Sequence, residues 1–163
     1  GKIDWMVDLL ERHTDKAVVF CSFLRPLKRL HAKFKGIYLS GEHTAQQKAE
    51  GIKQFQEDDS TQFAFCSTGA MGLGVTLTAA QTCYFLDLPW TVAEKEQAAS
   101  RLHRIGQKGS VQVVHLIARG TIDELMAGVL AKKAEAISGF LGEHGDQLTT
   151  LREIEKLLLA GPE

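Results

Sequence analysis

The feature that most constrains this chain is the run Ala17-Val18-Val19-Phe20-Cys21 after Lys16, apolar at every position. A strand with one wet face alternates, whereas a strand with no polar position must be covered on both sides, and the architecture that does this is a parallel sheet between two layers of helices. The rest of the chain supplies those layers. Ile3, Met6, Val7, Leu9 and Leu10 recur at helical spacing before the run, and Arg25 to Phe34 is helical in pattern after it. Gly36 to Leu39 is then a short strand, and Thr44 to Gln56 a helix with Thr44 as N-cap. Gln62 to Cys66, Thr82 to Asp87 and Val111 to Ala118 read as further strands, with a helix from about Val92 to Leu102 before the last. Strand and helix alternating in this way predict an α/β fold with helices on both faces.

The last third changes character. Thr121 to Leu141 reads as one long helix opened by a Thr-x-x-Glu capping box at Thr121 and Glu124. A final helix from about Gln147 to Leu159 places Leu148, Leu151, Ile154, Leu157 and Leu158 on one face. We therefore expect one lobe over residues 1–141 and a helical extension over 142–163 packed as a brace. With 44% hydrophobic and 24% charged residues the chain can build a single core. No apolar run approaches the ~20 residues that span a bilayer, so a soluble intracellular protein without a membrane partner is expected. Because the chain opens straight into a helical pattern, a larger parent protein is expected as well.

The net charge of -1 excludes a uniformly basic nucleic-acid-binding surface and leaves room for a local basic patch. Cys21, Cys66 and Cys83 are far apart without CxxC spacing and read as reduced core thiols. The six histidines show no ligand spacing such as HExxH, so no metal site is expected.

In an open parallel sheet, ligands gather beyond the carboxyl ends of the strands, so the loops there carry the information. After the third strand comes Ser67-Thr68-Gly69-Ala70-Met71-Gly72-Leu73-Gly74-Val75-Thr76-Leu77-Thr78-Ala79-Ala80. Its glycines allow close backbone approach and its hydroxyls can meet phosphate oxygens; equally, the glycines can simply turn the chain. Neither GxGxxG nor GxxxxGK[ST] occurs, so the lysine and metal-holding carboxylate of an NTPase must come from elsewhere. The second segment is Gln97-Ala98-Ala99-Ser100-Arg101-Leu102-His103-Arg104-Ile105-Gly106-Gln107. Arg101 and Arg104 lie three apart at a helix end and can reach one anion, or form a solvated face.

That second segment resembles motif VI of SWI/SNF-type DNA-dependent ATPases of helicase superfamily two. The glycine-rich loop resembles their motif V, Phe85-Leu86-Asp87-x-x-Trp90 the strand and tryptophan between, and Lys16 to Phe23 motif IV. The likeness is collinear over roughly residues 1–130. It implies a RecA-like second helicase lobe working against an absent N-terminal lobe that holds most of the ATP and Mg²⁺, with none bound tightly here. By the same resemblance Arg101 and Arg104 are arginine fingers, Gln97 positions the attacking water or an arginine, and Gly72 and Gly74 approach the nucleotide. Ser67, Thr68 and Thr44 would touch phosphates of double-stranded DNA. Trp90 would sit near the duplex, or cap the core beside Pro89. The sequence departs from the family at Gly69, where an arginine that approaches the groove is usual, at Lys48, and at Thr91-Val92. Gln107 favours the DNA branch over the RNA branch. A stand-alone nucleic-acid-binding or interaction module is the competing reading. A nucleotide or methyl-transfer domain would need a glycine fingerprint after the first strand, where Ser22-Phe23-Leu24-Arg25 stands.

Overall fold

The computed structural model describes residues 1–70, 76–88 and 110–139, together with positions 93 and 97. Helix α1 (Lys2–Glu11) leads to β1 (Ala17–Cys21), α2 (Leu24–Lys33), β2 (Gly36–Leu39), α3 (Ala45–Glu57) and β3 (Phe63–Ser67). A 3₁₀ turn over Thr68–Ala70 follows, then β4 (Thr82–Phe85), β5 (Gln112–His115) and α4 (Ile122–Gly139). The five strands form one parallel sheet in the order β2-β3-β1-β4-β5. This is the expected α/β architecture, and the apolar run lies at its centre.

β1, β3 and β4 are buried at every position. The pleat sends alternate residues to opposite layers. Val18 and Phe20 pack with Leu39, Phe55, Leu77 and Phe85 on the α3 side, whereas Ala17, Val19 and Cys21 pack with Met6, Leu10, Leu27 and Leu30 of α1 and α2. Phe85 stacks on Phe20 at 5.2 Å and on His115 at 4.7 Å, carrying the first layer out to the edge strand. Among the described residues no helix is long and apolar enough to cross a membrane.

Thr44 is the N-cap of α3, as its sequence predicts: its hydroxyl accepts from Gln47 N–H at 3.2 Å while the Gln47 side chain accepts from Thr44 N–H at 2.9 Å. The box expected at α4 is drawn differently. Glu124 reaches past the cap to Gly120 N–H at 2.8 Å, and Thr121 Oγ1 accepts from Asp123 N–H at 3.3 Å while donating to Ala118 O at 2.7 Å. Gly120 takes φ 67°, which swings its N–H into reach of Glu124 in place of the cap's own. β5 is shorter than Val111 to Ala118 because an edge strand can pair only where its one neighbour does, here Thr82↔Gln112 to Phe85↔His115. Likewise β4 stops at Phe85, after which Leu86 N–H still reaches Phe20 O at 2.9 Å and Asp87 turns toward β1. Positions 93 and 97 are helical, and the rest of the helix expected at 92–102 lies outside the described residues, as does the helix expected at 147–159.

Candidate functional site at the carboxyl edge of the sheet

Parallel strands end together, so the segments leaving them share one edge. Leu39 pairs with Cys66 and Cys21 with Ser67, which brings Ser40, Ser67 and Ser22 to that edge along β2, β3 and β1. Thr68 follows Ser67, and Asp87 arrives from β4 on the far side. The result is a row of hydroxyls across β2, β3 and β1, closed by one carboxylate.

Each member is held by a specific contact. Ser22 N–H donates to both Asp87 oxygens, at 2.9 and 3.0 Å, tying the loop after β1 to the exit of β4. The hydroxyls of Thr68 and Ser22 are hydrogen-bonded to each other at 3.2 Å. The ammonium of Lys2 donates to Leu86 O at 3.0 Å and pairs with Asp123, whose carboxylate also accepts from Ala118 N–H at 3.0 Å. At the other end of the row, His43 Nδ1 accepts from Ser40 N–H at 3.1 Å, which sets the short turn into Thr44. Burial, and secondarily the Asp87 charge, push the Cys21 thiol up to about 12, so it stays protonated and inert beneath the row.

Of the residues singled out in the sequence, Thr44, Ser67 and Thr68 are brought to this edge. Thr44 is exposed at the N-terminus of α3, where free N–H groups favour an anion. Its hydroxyl serves as acceptor in the cap, which is compatible with its hydrogen donating outward. Thr68 is half-buried, whereas Ser67 is only 5% exposed, so Thr68 is the better presented of the pair. Gln97 is helical and exposed. Gly72, Gly74, Trp90, Arg101 and Arg104 lie outside the described residues. Among the described residues no three His, Cys, Asp or Glu side chains gather as a metal site requires.

Three members of the edge received no role from sequence reasoning, Ser22, Ser40 and Asp87. Their signal was positional: each is the first polar residue beyond a strand that pairs with its neighbour, and that neighbourhood follows from strand order rather than from spacing.

Residues 1–106 match the family model described as the helicase conserved C-terminal domain. Among curated proteins the chain is 36% identical over 132 residues to the DNA repair protein RAD5A of Arabidopsis thaliana, covering 81% of this chain and 13% of that protein. It is 34% identical over 150 residues to the DNA annealing helicase and endonuclease ZRANB3 of Mus musculus, covering 89% and 14%. The chain thus spans about one seventh of the curated relatives it matches. Among solved structures, the C-terminal part of the Fun30 ATPase domain superposes with TM-score 0.78 at 25% identity, over 98% of this chain and 54% of that one. The SWI2/SNF2 ATPase core domain of Sulfolobus solfataricus follows with TM-score 0.70 at 28% identity, over 96% and 32%.

Proposed function

The chain belongs to the helicase conserved C-terminal domain family, as a RecA-like lobe of the SWI/SNF type, and from that premise we propose that it is the second motor lobe of an ATP-dependent double-stranded DNA translocase. The observation that carries this reading is the hydroxyl row at the carboxyl edge, with Thr44 exposed and Thr68 half-buried there. Hydroxyls and helix N–H groups suit phosphate oxygens and ignore base identity, as a motor that tracks a backbone needs.

In this reading ATP and Mg²⁺ are held mainly by the N-terminal lobe of the parent, and Gly72 and Gly74 approach the nucleotide from this side. Arg101 and Arg104 stabilise charge that develops in the transition state, Gln97 orients the water or an arginine, and Thr44, Ser67, Thr68 and Trp90 face one DNA strand. Closure of the two lobes in each ATP cycle would then move the duplex. Residues 1–141 act as the lobe and 142–163 as a helical extension that braces it. The parent works inside the cell, in the cytoplasm or nucleoid of a bacterium or the nucleus of a eukaryote. The isolated chain, lacking the Walker-type lobe, turns over no ATP.

Arg104→Ala in the intact parent tests the reading. We expect kcat to fall on the order of a thousandfold with little change in KM, since an arginine finger meets charge only as it develops. An unchanged kcat with a raised KM would make Arg104 a ground-state contact. A parent that binds DNA but shows no ATPase activity in the first place would instead establish the stand-alone binding module.

A further inference from the structure

We propose that Ser22 is a positioning residue for the contact between Thr68 and a DNA phosphate, acting through a hydroxyl relay in which Ser22 donates to Thr68 and Thr68 to the phosphate. This rests on the reading of Thr68 as a phosphate contact and adds to it a mechanism and a residue.

The argument starts from hydrogen counting. A phosphate oxygen is an acceptor only, so Thr68 can meet it only by donating its single hydroxyl hydrogen. In the structure Thr68 Oγ1 and Ser22 Oγ lie 3.2 Å apart, a hydroxyl pair that the hydrogen of either residue can bridge. Formation of the phosphate contact commits the Thr68 hydrogen outward, which without a second donor would cost the pair its hydrogen bond. Ser22 prevents that loss. A serine hydroxyl has a hydrogen of its own, and the two oxygens can be bridged with Ser22 donating to Thr68 and Thr68 to the phosphate. No heavy atom has to move. Hydroxyls donating in series polarise one another, so the outer bond is stronger than one made by Thr68 alone.

The surroundings of Ser22 fit a positioning role better than direct contact. Its N–H is held by both oxygens of Asp87, at 2.9 and 3.0 Å, and the preceding carbonyl on β4's exit, Leu86 O, is held by the Lys2 ammonium at 3.0 Å. The loop after β1 is thus fixed relative to Thr68, which is itself fixed by the pairing of Ser67 with Cys21 on the adjoining strand. A carboxylate beside Ser22 repels a phosphate placed directly upon it. One residue further out, at Thr68, the anion is kept clear of that charge while still drawing on the Ser22 hydrogen.

The test is a double-mutant cycle on duplex affinity in the intact parent, read by fluorescence anisotropy with Ser22→Ala, Thr68→Val and the double variant. We expect Ser22→Ala to weaken binding about fivefold, the scale of one supporting hydrogen bond, Thr68→Val to weaken it further, and the double variant to bind no more weakly than Thr68→Val. Ser22→Thr, which keeps the hydroxyl, should restore affinity; Thr68→Ala replaces Thr68→Val if the valine variant does not fold. If Thr68→Val weakens binding but Ser22→Ala has no effect, or the same effect in both backgrounds, the relay is wrong and Thr68 stands as a contact without it. If neither Thr68 variant changes affinity, the reading of Thr68 as a phosphate contact falls, and the relay falls with it.

Discussion

The two ends of the sheet are both polar, and they use their polar groups in opposite ways. At the amino end, donors are spent on the chain's own carbonyls. Lys16 Nζ donates to Phe55 O and, at 2.8 Å, to Asp58 O, fastening the last turn of α3; Gln62 Nε2 donates to His13 O at 2.7 Å. Gln56 clamps the approach to β4, accepting from Ala79 N–H at 2.8 Å and donating to Thr78 Oγ1 at 2.9 Å. At the carboxyl end the hydroxyls of Thr68 and Ser22 are stacked in series and Thr44 stands exposed on a helix N-terminus. The difference teaches which end can change: the amino end is closed on itself and serves stability, while the Thr68–Ser22 pair and Thr44, whose hydroxyls can rotate and exchange partners, stand at the end where a ligand would arrive.

The contrast breaks most sharply at Gly36, on the amino end of β2. A Cβ there would lie 2.3 Å from the Phe63 carbonyl oxygen, a backbone atom held in the β2–β3 ladder. Gly36→Ala should cost about 3 kcal/mol, the upper end of overpacking, seen as a lowered urea midpoint. A loss below about 1 kcal/mol would mean that the amino end yields more readily than its closed bonding implies.

Thr44 is where the two roles meet, because it caps α3 and faces outward. Thr44→Ala should lower stability by about 1 kcal/mol through loss of the cap. Thr44→Asp keeps a capping acceptor, so thermal unfolding should be nearly unchanged while duplex affinity in the parent falls from charge repulsion. Equal affinity for the aspartate variant and the parent would remove Thr44 from the proposed interface.

Gly69 gives the next effect. No heavy atom lies within 4 Å of a Cβ built on it, and its φ is not positive, so a side chain is accommodated there without strain. Gly69→Arg should leave stability within about 0.5 kcal/mol and tighten duplex binding several-fold at low salt, with a steeper salt dependence because an added phosphate contact releases counterions. An unchanged affinity would mean that the carboxyl edge meets DNA elsewhere.

The smallest effect tests the amino end by pH. Burial holds the His13 imidazole below its ordinary range, against the pull of the Asp15 charge, and its Nε2 is buried without a hydrogen-bond partner while Nδ1 meets Tyr84 Oη at 3.0 Å. The unfolded chain therefore takes up the proton first as pH falls through about 6.5, so this contribution is intact above that value and is lost below it. Between about pH 7.5 and 5.5 the unfolding midpoint should decline, and His13→Phe should flatten that decline. An identical slope in the variant would place the sensitivity elsewhere.

Much of the fold was legible because its signals are local. Ala17 to Cys21 announces two-sided burial, and Thr44 followed by Gln47 announces a cap, since each depends on neighbours a few residues away. The capping at α4 was misread because Gly120, just before it, adopts positive φ and offers its own N–H to Glu124. Ser67 and Thr68 were legible as a hydroxyl pair in a glycine-rich loop. Which of the two is presented was not, because burial at Ser67 comes from strands on either side.

The sequence by itself determined the α/β alternation, the two-sided burial of Ala17 to Cys21 and the motifs that mark the family, for these are carried by residue order and by periodicity. Only the tertiary structure decided that Ser22, Thr68 and Asp87 meet, although 46 and 65 residues separate Ser22 from its two partners. The reason is the order β3-β1-β4: hydrogen bonds between parallel strands set register and neighbours, and a strand's own sequence specifies the burial of its faces without specifying which strands lie beside it.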